Sequence, residues 1–263
     1  MSTNLSPFFR RVPLSHLIQN FFEVFGEYFM FLGQVFSRKP KLRVFNKKLI
    51  FEMDAMGIGS LLIVSIVSLT LGSVITVQAA MQMESNWIPK WCVGFIVKTT
   101  AVMELCPTII SLLLVGNLGS RITAEIGSMR VTEQIDALEV MGINPASYLV
   151  LPKIVAAVIV IPMLVIISIF FALVGGYLTI LVTGAVTTFD YVDGITSFFR
   201  MYDIFYALTK TFVFAFVISS VSSFYGYRID GGALELGQAS TKGIVVASFA
   251  ILILNMLITN IML

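Results

Sequence analysis

Long runs without a charged residue divide this chain. They lie between Asp54 and Glu84, between Lys153 and Asp190, and from Gly243 to Leu263, with shorter ones over 105–120 and 211–227. A helix of about 20 apolar residues crosses the ~30 Å hydrocarbon core of a bilayer. The pattern therefore predicts five transmembrane helices, near 54–81, 92–119, 150–182, 203–228 and 243–262. The run after Lys153 is too long for one straight span and must tilt, kink or include part of a loop; Pro162 and the pair Gly175-Gly176 offer places for that. Ahead of the first span, Leu14, Leu17 and Ile18, Phe21, Phe25, Tyr28, Leu32, and Val35 and Phe36 recur every three or four residues. His16, Gln19 and Asn20, Glu23, Glu27 and Gln34 track the other side. That spacing predicts an amphipathic helix lying in the membrane interface, its acyl-facing side heavily aromatic. The two glutamates near its middle speak against a sixth span.

Between the second and third spans lies a polar island, Gly119 to Lys153, with Arg121, Glu125, Arg130, Glu133, Asp136, Glu139 and Lys153. Within it a helix is expected from Met129 to about Met141. Val131, Ile135, Leu138 and Gly142 fall on one side of it, with Gly142 at the exit and Asn144-Pro145 as a turn. A connector so charged is expected to grip a soluble partner; a plain solvated link is the alternative.

Composition agrees with the pattern: 57% of the 263 residues are hydrophobic and only 12% charged, with a mean hydropathy of +0.94. These values lie far outside the balance of soluble domains. The fold class is thus an all-α polytopic membrane protein. Arg38 to Lys48 holds six basic residues in eleven, just before the first span. The island adds Arg121, Arg130 and Lys153, and the last connection adds Arg228 and Lys242. The opposite loops carry Lys90 and Arg200 among Glu84, Asp190 and Asp193. Positive loops stay in the cytoplasm, so the N-terminus is expected inside and the C-terminus outside. Trp87 and Trp91 suit the outer interface. No secretory signal is evident, and Arg10-Arg11 is a poor twin-arginine match because Glu23 and Glu27 interrupt the apolar run after it.

Several chemistries drop out. Cys92 and Cys106 are fourteen apart on one expected helix, beyond disulfide reach. A single histidine, His16, leaves no His-rich metal site or HExxH motif. The sequence from Gly232 to Ala239 echoes a phosphate-binding loop but lacks its Lys and Ser/Thr and joins two spans rather than a strand and a helix. No metal, cofactor, catalytic residue or nucleic-acid partner is expected, and any nucleotide hydrolysis belongs to another chain. No two glycines are four apart, so a GxxxG dimer motif is absent.

Charges inside spans are costly and therefore informative. Lys98 is expected to snorkel to the outer interface. Glu104 falls about 20 Å along the helix from Trp91 at 1.5 Å per residue, near the bilayer middle. Glu104-Leu105-Cys106-Pro107 should break or bend that helix. Lys210 lies within the fourth span, seven residues after Asp203. Glu104 and Lys210 either neutralise each other structurally or line a polar spot in a central cavity.

Asp136-Ala137-Leu138, Gly142 and Leu151-Pro152 loosely echo the EAA…G…LP pattern of ABC-importer permeases, with a shorter spacing. A more specific likeness runs through Gly119-Ser120, Ala124-Glu125-Ile126-Gly127, Met129-Arg130, Thr132-Glu133-Gln134, Met141, Pro145 and Pro152, and through Gln78, Glu104-Leu105, Pro107, Asp203, Lys210 and Gly226-Tyr227. On these residues the chain, from about residue 45 onward, resembles the MlaE/YrbE family, permease subunits of ABC transporters that work with MCE-domain proteins. It departs from the family at Met103 and Asn117, where arginines are common, and at Cys106, where glycine is. A charge-pair mechanism that uses those arginines is not carried over.

The resemblance implies a homodimeric permease of a bacterial inner membrane that moves glycerophospholipid between the inner and outer membranes. Its implied partners are two copies of a cytoplasmic ABC ATPase, a small regulatory subunit and an MCE ring on the periplasmic side. Residues 1–48 form the interfacial helix and basic linker, and 49–263 the five-helix permease domain with a coupling helix at about 129–142. Leu71, Val74, Val77, Gln78 and Met81 share one side of the first span and would form a lipid-cavity wall, with Glu104 and Lys210 as polar sites. Arg130, Glu133, Asp136, Leu138 and Glu139 would meet the ATPase. Two other classes stay open: an ion-coupled secondary transporter, against which the lack of an internal repeat speaks, and a non-transporting membrane anchor, which would need neither Glu104 nor Lys210 at depth.

Overall fold

The computed structural model of the chain describes residues 14–37, 42–83, 89–197 and 200–262, with side chains from residue 22 onward. Expectations placed on Arg10, Arg11, Arg38, Lys39, Lys41, Glu84 and Trp87, and on the side chains of 14–21, lie outside these residues. The elements are α1 (Leu14–Ser37), α2 (Leu42–Gln82), α3 (Cys92–Thr100), a π-helical turn (Ala101–Leu105), α4 (Cys106–Leu114) and a second π turn (Val115–Gly119). They continue with α5 (Ser120–Val131), α6 (Gln134–Val140), a third π turn (Ala146–Val150), α7 (Leu151–Thr183), α8 (Thr188–Thr196), α9 (Met201–Tyr227) and α10 (Ala233–Met262). No strand occurs among the described residues. Five helical stretches are long and apolar enough to span a membrane: Leu42–Gln82, Cys92–Val131, Ala146–Thr183, Met201–Tyr227 and Ala233–Met262.

Three of the five spans, the first, second and fifth, run well past their expected ends at the end of the bundle that carries the connector. α2 has 41 residues, or about 60 Å at 1.5 Å per residue, twice the hydrocarbon thickness. Hydropathy marks only the embedded part; a helix continues into water wherever its backbone bonds are already made. α7 is one unbroken helix of 33 residues through Pro162. The long third run is therefore accommodated without a loop, and Gly175-Gly176 serves packing instead of a bend. The expected break at Pro107 is a π turn: the amide of Cys106 donates to the carbonyl of Ala101, one residue further back than in an α-helix.

The buried face of α2 is narrow: Met56, Ser60, Val64, Ser68, Gly72, Ile75, Thr76 and Ala79. These small residues at steps of three or four let α7 approach closely, as helices do where lipid offers no hydrophobic drive to associate. A Cβ at Gly72 would lie 1.8 Å from the Ala172 carbonyl oxygen, and one at Gly175 would lie 2.1 Å from that of Leu69. Ser73 donates across the seam to the Gly175 carbonyl, at 3.1 Å. Close packing thus arises without GxxxG, from glycines on two different helices. α9 fills the centre, with 61% of its most apolar window buried against 11% for α10.

Two elements differ from expectation. The helix expected over 129–141 is interrupted: Met129 to Val131 end α5, Glu133 takes a left-handed conformation (φ 57°), and α6 starts at Gln134. The β-branched pair Val131-Thr132 favours the stop, and the Thr132 hydroxyl takes the Ser128 carbonyl. Gly142 (φ 73°) closes α6 as expected. The unexpected α8 is capped by Thr187, whose hydroxyl accepts from the Asp190 amide at 3.2 Å. α1 presents two apolar stripes. Phe31 and Val35 are buried, and Tyr28 donates or accepts with Ser220 at 2.7 Å. Phe22, Phe25, Phe29 and Phe36 stay exposed. Glu27, on the polar side, pairs with Arg228.

Gly175→Ala should lower the thermal stability of purified protein in detergent by about 2 kcal/mol, the range for overpacking. Gly237→Ala, with nothing within 4 Å of the added Cβ, should be neutral or stabilising. Equal melting of both variants would show that the α2–α7 seam does not limit stability.

Candidate functional site

Two ion pairs join the second span to the fourth. Lys98 of α3 and Asp203 of α9 lie 3.1 Å apart, with side-chain exposures of 2% and 10%. Lys98 does not snorkel outward; Asp203 meets it inside, because α8 packs across α3 at that level, Gly94 against Tyr191. Deeper in, Glu104 meets Lys210 at 2.8 Å. The Tyr206 hydroxyl donates to Glu104 at 3.0 Å, and the Thr259 hydroxyl of α10 lies 3.4 Å from the same oxygen. Lys210 also sits 4.4 Å from the centre of the Tyr206 ring.

The pairs alternate in sign, Lys then Glu on one helix and Asp then Lys on the other. A register slip would leave charges unpaired at depth, where that is most costly. The π turn places Glu104 here: one extra residue in the turn rotates its side chain toward α9 and α10. Lys210 is fully buried, whereas 37% of the Glu104 side chain remains open. Glu104 and Lys210 are therefore paired, as the structural reading expected, and the pair still has an open side.

The residues expected to wall a lipid cavity lie at or near the surface of α2. Val74 and Met81 are 58% and 69% exposed, Gln78 is exposed, and Leu71 and Val77 are half-buried. Val77 and Met81 also edge a cavity of about 530 Å³ against Thr179, Ile180 and Val186, with Lys90 at its rim. Glu104 and Lys210 do not line that cavity. Within one chain the wall and the polar pair are two separate features.

At the connector, Arg130 and Asp136 pair at 2.5 Å. Glu139 accepts from the Tyr227 hydroxyl at 3.3 Å, and the Arg130 guanidinium lies 6.0 Å from the Tyr227 ring centre. Ile135 is buried and Leu138 half-buried against the bundle. Glu133 is exposed on the turn. At the other end of α6 stand Val140, 90% exposed, and Met141, 64% exposed. Those two were missed by the sequence reading, which placed the apolar contact on Leu138; their signal is an apolar pair at the end of a polar helix. Asn144 fixes the exit: its carbonyl side chain accepts from the Ala146 amide at 3.1 Å, and its amide donates to the Gln34 carbonyl of α1, also at 3.1 Å.

A third charged group was also missed. Lys153, 2% exposed, meets Glu52 at 2.5 Å and Glu125 at 2.7 Å. Its only signal is a lysine between Pro152 and Ile154 at the head of a long apolar run, since its partners lie on other spans.

The Permease MlaE family matches residues 49–261 of this chain. A probable ABC transporter permease protein of Synechocystis is 29% identical over 94% of each chain. A probable ABC transporter permease protein of Rickettsia prowazekii is 31% identical over 95% of this chain and 97% of its own. The intermembrane phospholipid transport system permease protein MlaE of Haemophilus influenzae is 31% identical over 95% of each.

Lys210→Met should lower stability by about 2 kcal/mol, less than for a fully buried pair because Glu104 is partly open. Adding Glu104→Gln to it should recover most of that loss. Unfolding in mixed micelles measures both; a double variant no more stable than the single one would show that the pair is not coupled.

Proposed function

The chain belongs to the MlaE permease family, and from that premise we propose that it is the membrane subunit of an ABC transporter that moves phospholipid between the inner and outer membranes. ATP is hydrolysed on a separate ATPase, bound in two copies. An MCE ring on the periplasmic side and a small regulatory subunit complete the assembly. The N-terminus and the connector face the cytoplasm and the C-terminus the periplasm, following the basic residues Arg43, Lys47, Lys48, Arg121 and Arg130.

The observation that carries this reading is the open side of Glu104. A carboxylate at bilayer depth with 37% of its side chain uncovered is not left against acyl chains. A second copy of the chain covers it best. α10, the span with the most free surface, reaches it through Thr259, and a two-fold axis there makes one surface self-complementary. Across that axis the wall of Leu71, Val74, Val77, Gln78 and Met81 would close on the Glu104–Lys210 pair of one or other protomer. The enclosure is apolar for chains and polar for a headgroup. The lone wall becomes a cavity only in the dimer.

On the cytoplasmic side the exposed groups suit a soluble partner. Val140 and Met141 form an apolar knob, and Glu133 is an outward charge on a fixed turn. Arg130 and Asp136, paired with each other, keep the turn rigid, and Glu139 is held by Tyr227. Binding therefore needs little ordering of the connector, which lowers its entropic cost.

Native mass measurement of the purified complex should give two permease copies with two ATPases; one permease per ATPase pair would overturn the dimer. In detergent, a photocrosslinker at Gln78 should capture co-purified phospholipid and one at Phe170 on α7 should not. Equal capture at both would remove the case for the wall. Glu133→Lys with Val140→Asp should cut ATPase binding at least tenfold without loss of insertion, a drop of about 1.4 kcal/mol or more. Unchanged binding would show the turn to be a plain link.

A further inference from the structure

The cluster around Lys153 lies outside the proposed lipid path and outside the ATPase-facing turn, yet it touches the helices that carry both. Lys153, at the start of α7, is enclosed and bridges Glu52 of α2 and Glu125 of α5. Lys48 completes the group, its ammonium 3.5 Å from the centre of the Tyr148 ring and within electrostatic reach of Lys153, Glu52 and Glu125. Two cations and two carboxylates sum to zero, so the cluster is self-neutralised and needs no counterion. One turn further in, Arg121 of α5 donates to the Ala55 carbonyl of α2 at 2.8 Å. α5 is thereby tied twice to the same stretch of α2.

Each tied helix is stiff on the side that matters. From Glu125, α5 runs without a break to Val131, about 9 Å at 1.5 Å per residue, and hands the chain to Glu133 and α6. From Glu52, α2 runs unbroken to Gln82, through the wall residues Leu71 to Met81. The two arms of the bridge differ. The Glu52 side chain is 13% exposed and the Glu125 side chain 44%. Water competes for Glu125 and hardly for Glu52, so the Glu125 arm is the one that yields when α5 is pushed.

We propose that Lys153 is a positioning residue of the transport cycle: by holding Glu125 to Glu52 it sets the ATPase-docking turn in register with the helix that forms the lipid wall. The proposal rests on the permease reading above, and its two measurements separate the two. Nothing in it requires Lys153 to touch lipid or nucleotide. Its role is to make a displacement of α6 and a displacement of α2 the same event.

The test uses the full complex in bilayers, with Cys92→Ser and Cys106→Ala, and spin labels at Val44→Cys on α2 and Ala137→Cys on α6, both exposed. The unsubstituted bridge should give one narrow distance distribution. Glu125→Gln, which keeps volume and loses charge, should broaden it, and Glu125→Asp should restore it. In the same samples ATP consumed per lipid moved should rise about fivefold in Glu125→Gln and return toward the parent value in Glu125→Asp. A Glu125→Gln distribution as narrow as the parent's overturns the proposal whatever transport does. Broadening with an unchanged ATP-to-lipid ratio also overturns it, since register would then not serve coupling. Failure of Glu125→Asp to restore either reading counts against it equally, as the signature of a general packing defect. If the parent complex moves no lipid at all, the permease reading fails, while the distance measurement still decides whether Lys153 sets the turn.

Discussion

Each lysine that this bundle buries among its described residues is met by an opposite charge from a different helix, and that constraint organises the rest. Lipid tails are as apolar as leucine, so apolar contact does little to choose one helix arrangement over another in a membrane. An unpaired ammonium at depth does choose, because its cost is large and its remedy directional. Lys98 with Asp203 and Lys210 with Glu104 set the second span against the fourth at two levels of opposite sign. Lys153 sets the third against the first and second. Three cations thus fix the relative heights of four spans.

Close packing then supplies what the ion pairs do not. Gly72, Gly175 and the serines of α2 bring α2 and α7 within backbone contact. A run of buried serines, Ser219, Ser220, Ser222 and Ser223, does the same for α9. Thr123 of α5 donates to the Ser222 carbonyl at 2.9 Å, a polar stitch that water would weaken and hydrocarbon does not. The outcome is lopsided: α9 is the most enclosed span, while α2 and α10 keep broad free faces.

The connector follows a different rule. Outside the membrane, water satisfies charge cheaply, so the turn is held by many weak ties: Arg130 to Asp136, Tyr227 to Glu139, Asn144 to its own helix start and to α1. Glu133 holds a left-handed backbone that costs a non-glycine residue about 1 kcal/mol. The neighbouring contacts over-determine it, and the apolar pair Val140 and Met141 is left facing out. A rigid, partly apolar knob on a polar surface suits docking better than a flexible charged loop.

Hydropathy alone decided how many spans there are, roughly where their embedded parts lie and that the fold is all-α, because burial in lipid is a local requirement that each segment meets by itself. Residue-level likeness decided the family. The sequence also made Glu104 and Lys210 candidates for each other. It did not reveal that Lys98 faces Asp203, that Lys153 holds Glu52 and Glu125, or that Glu133 breaks the expected connector helix in two. The ion pairs depend on which residues, far apart in the chain, arrive at the same height, and no window along the chain contains that. Nor could spacing tell that the α2 wall and the Glu104–Lys210 pair stay apart within one chain: helical periodicity gives the side of a helix, and only tertiary packing determines what that side meets.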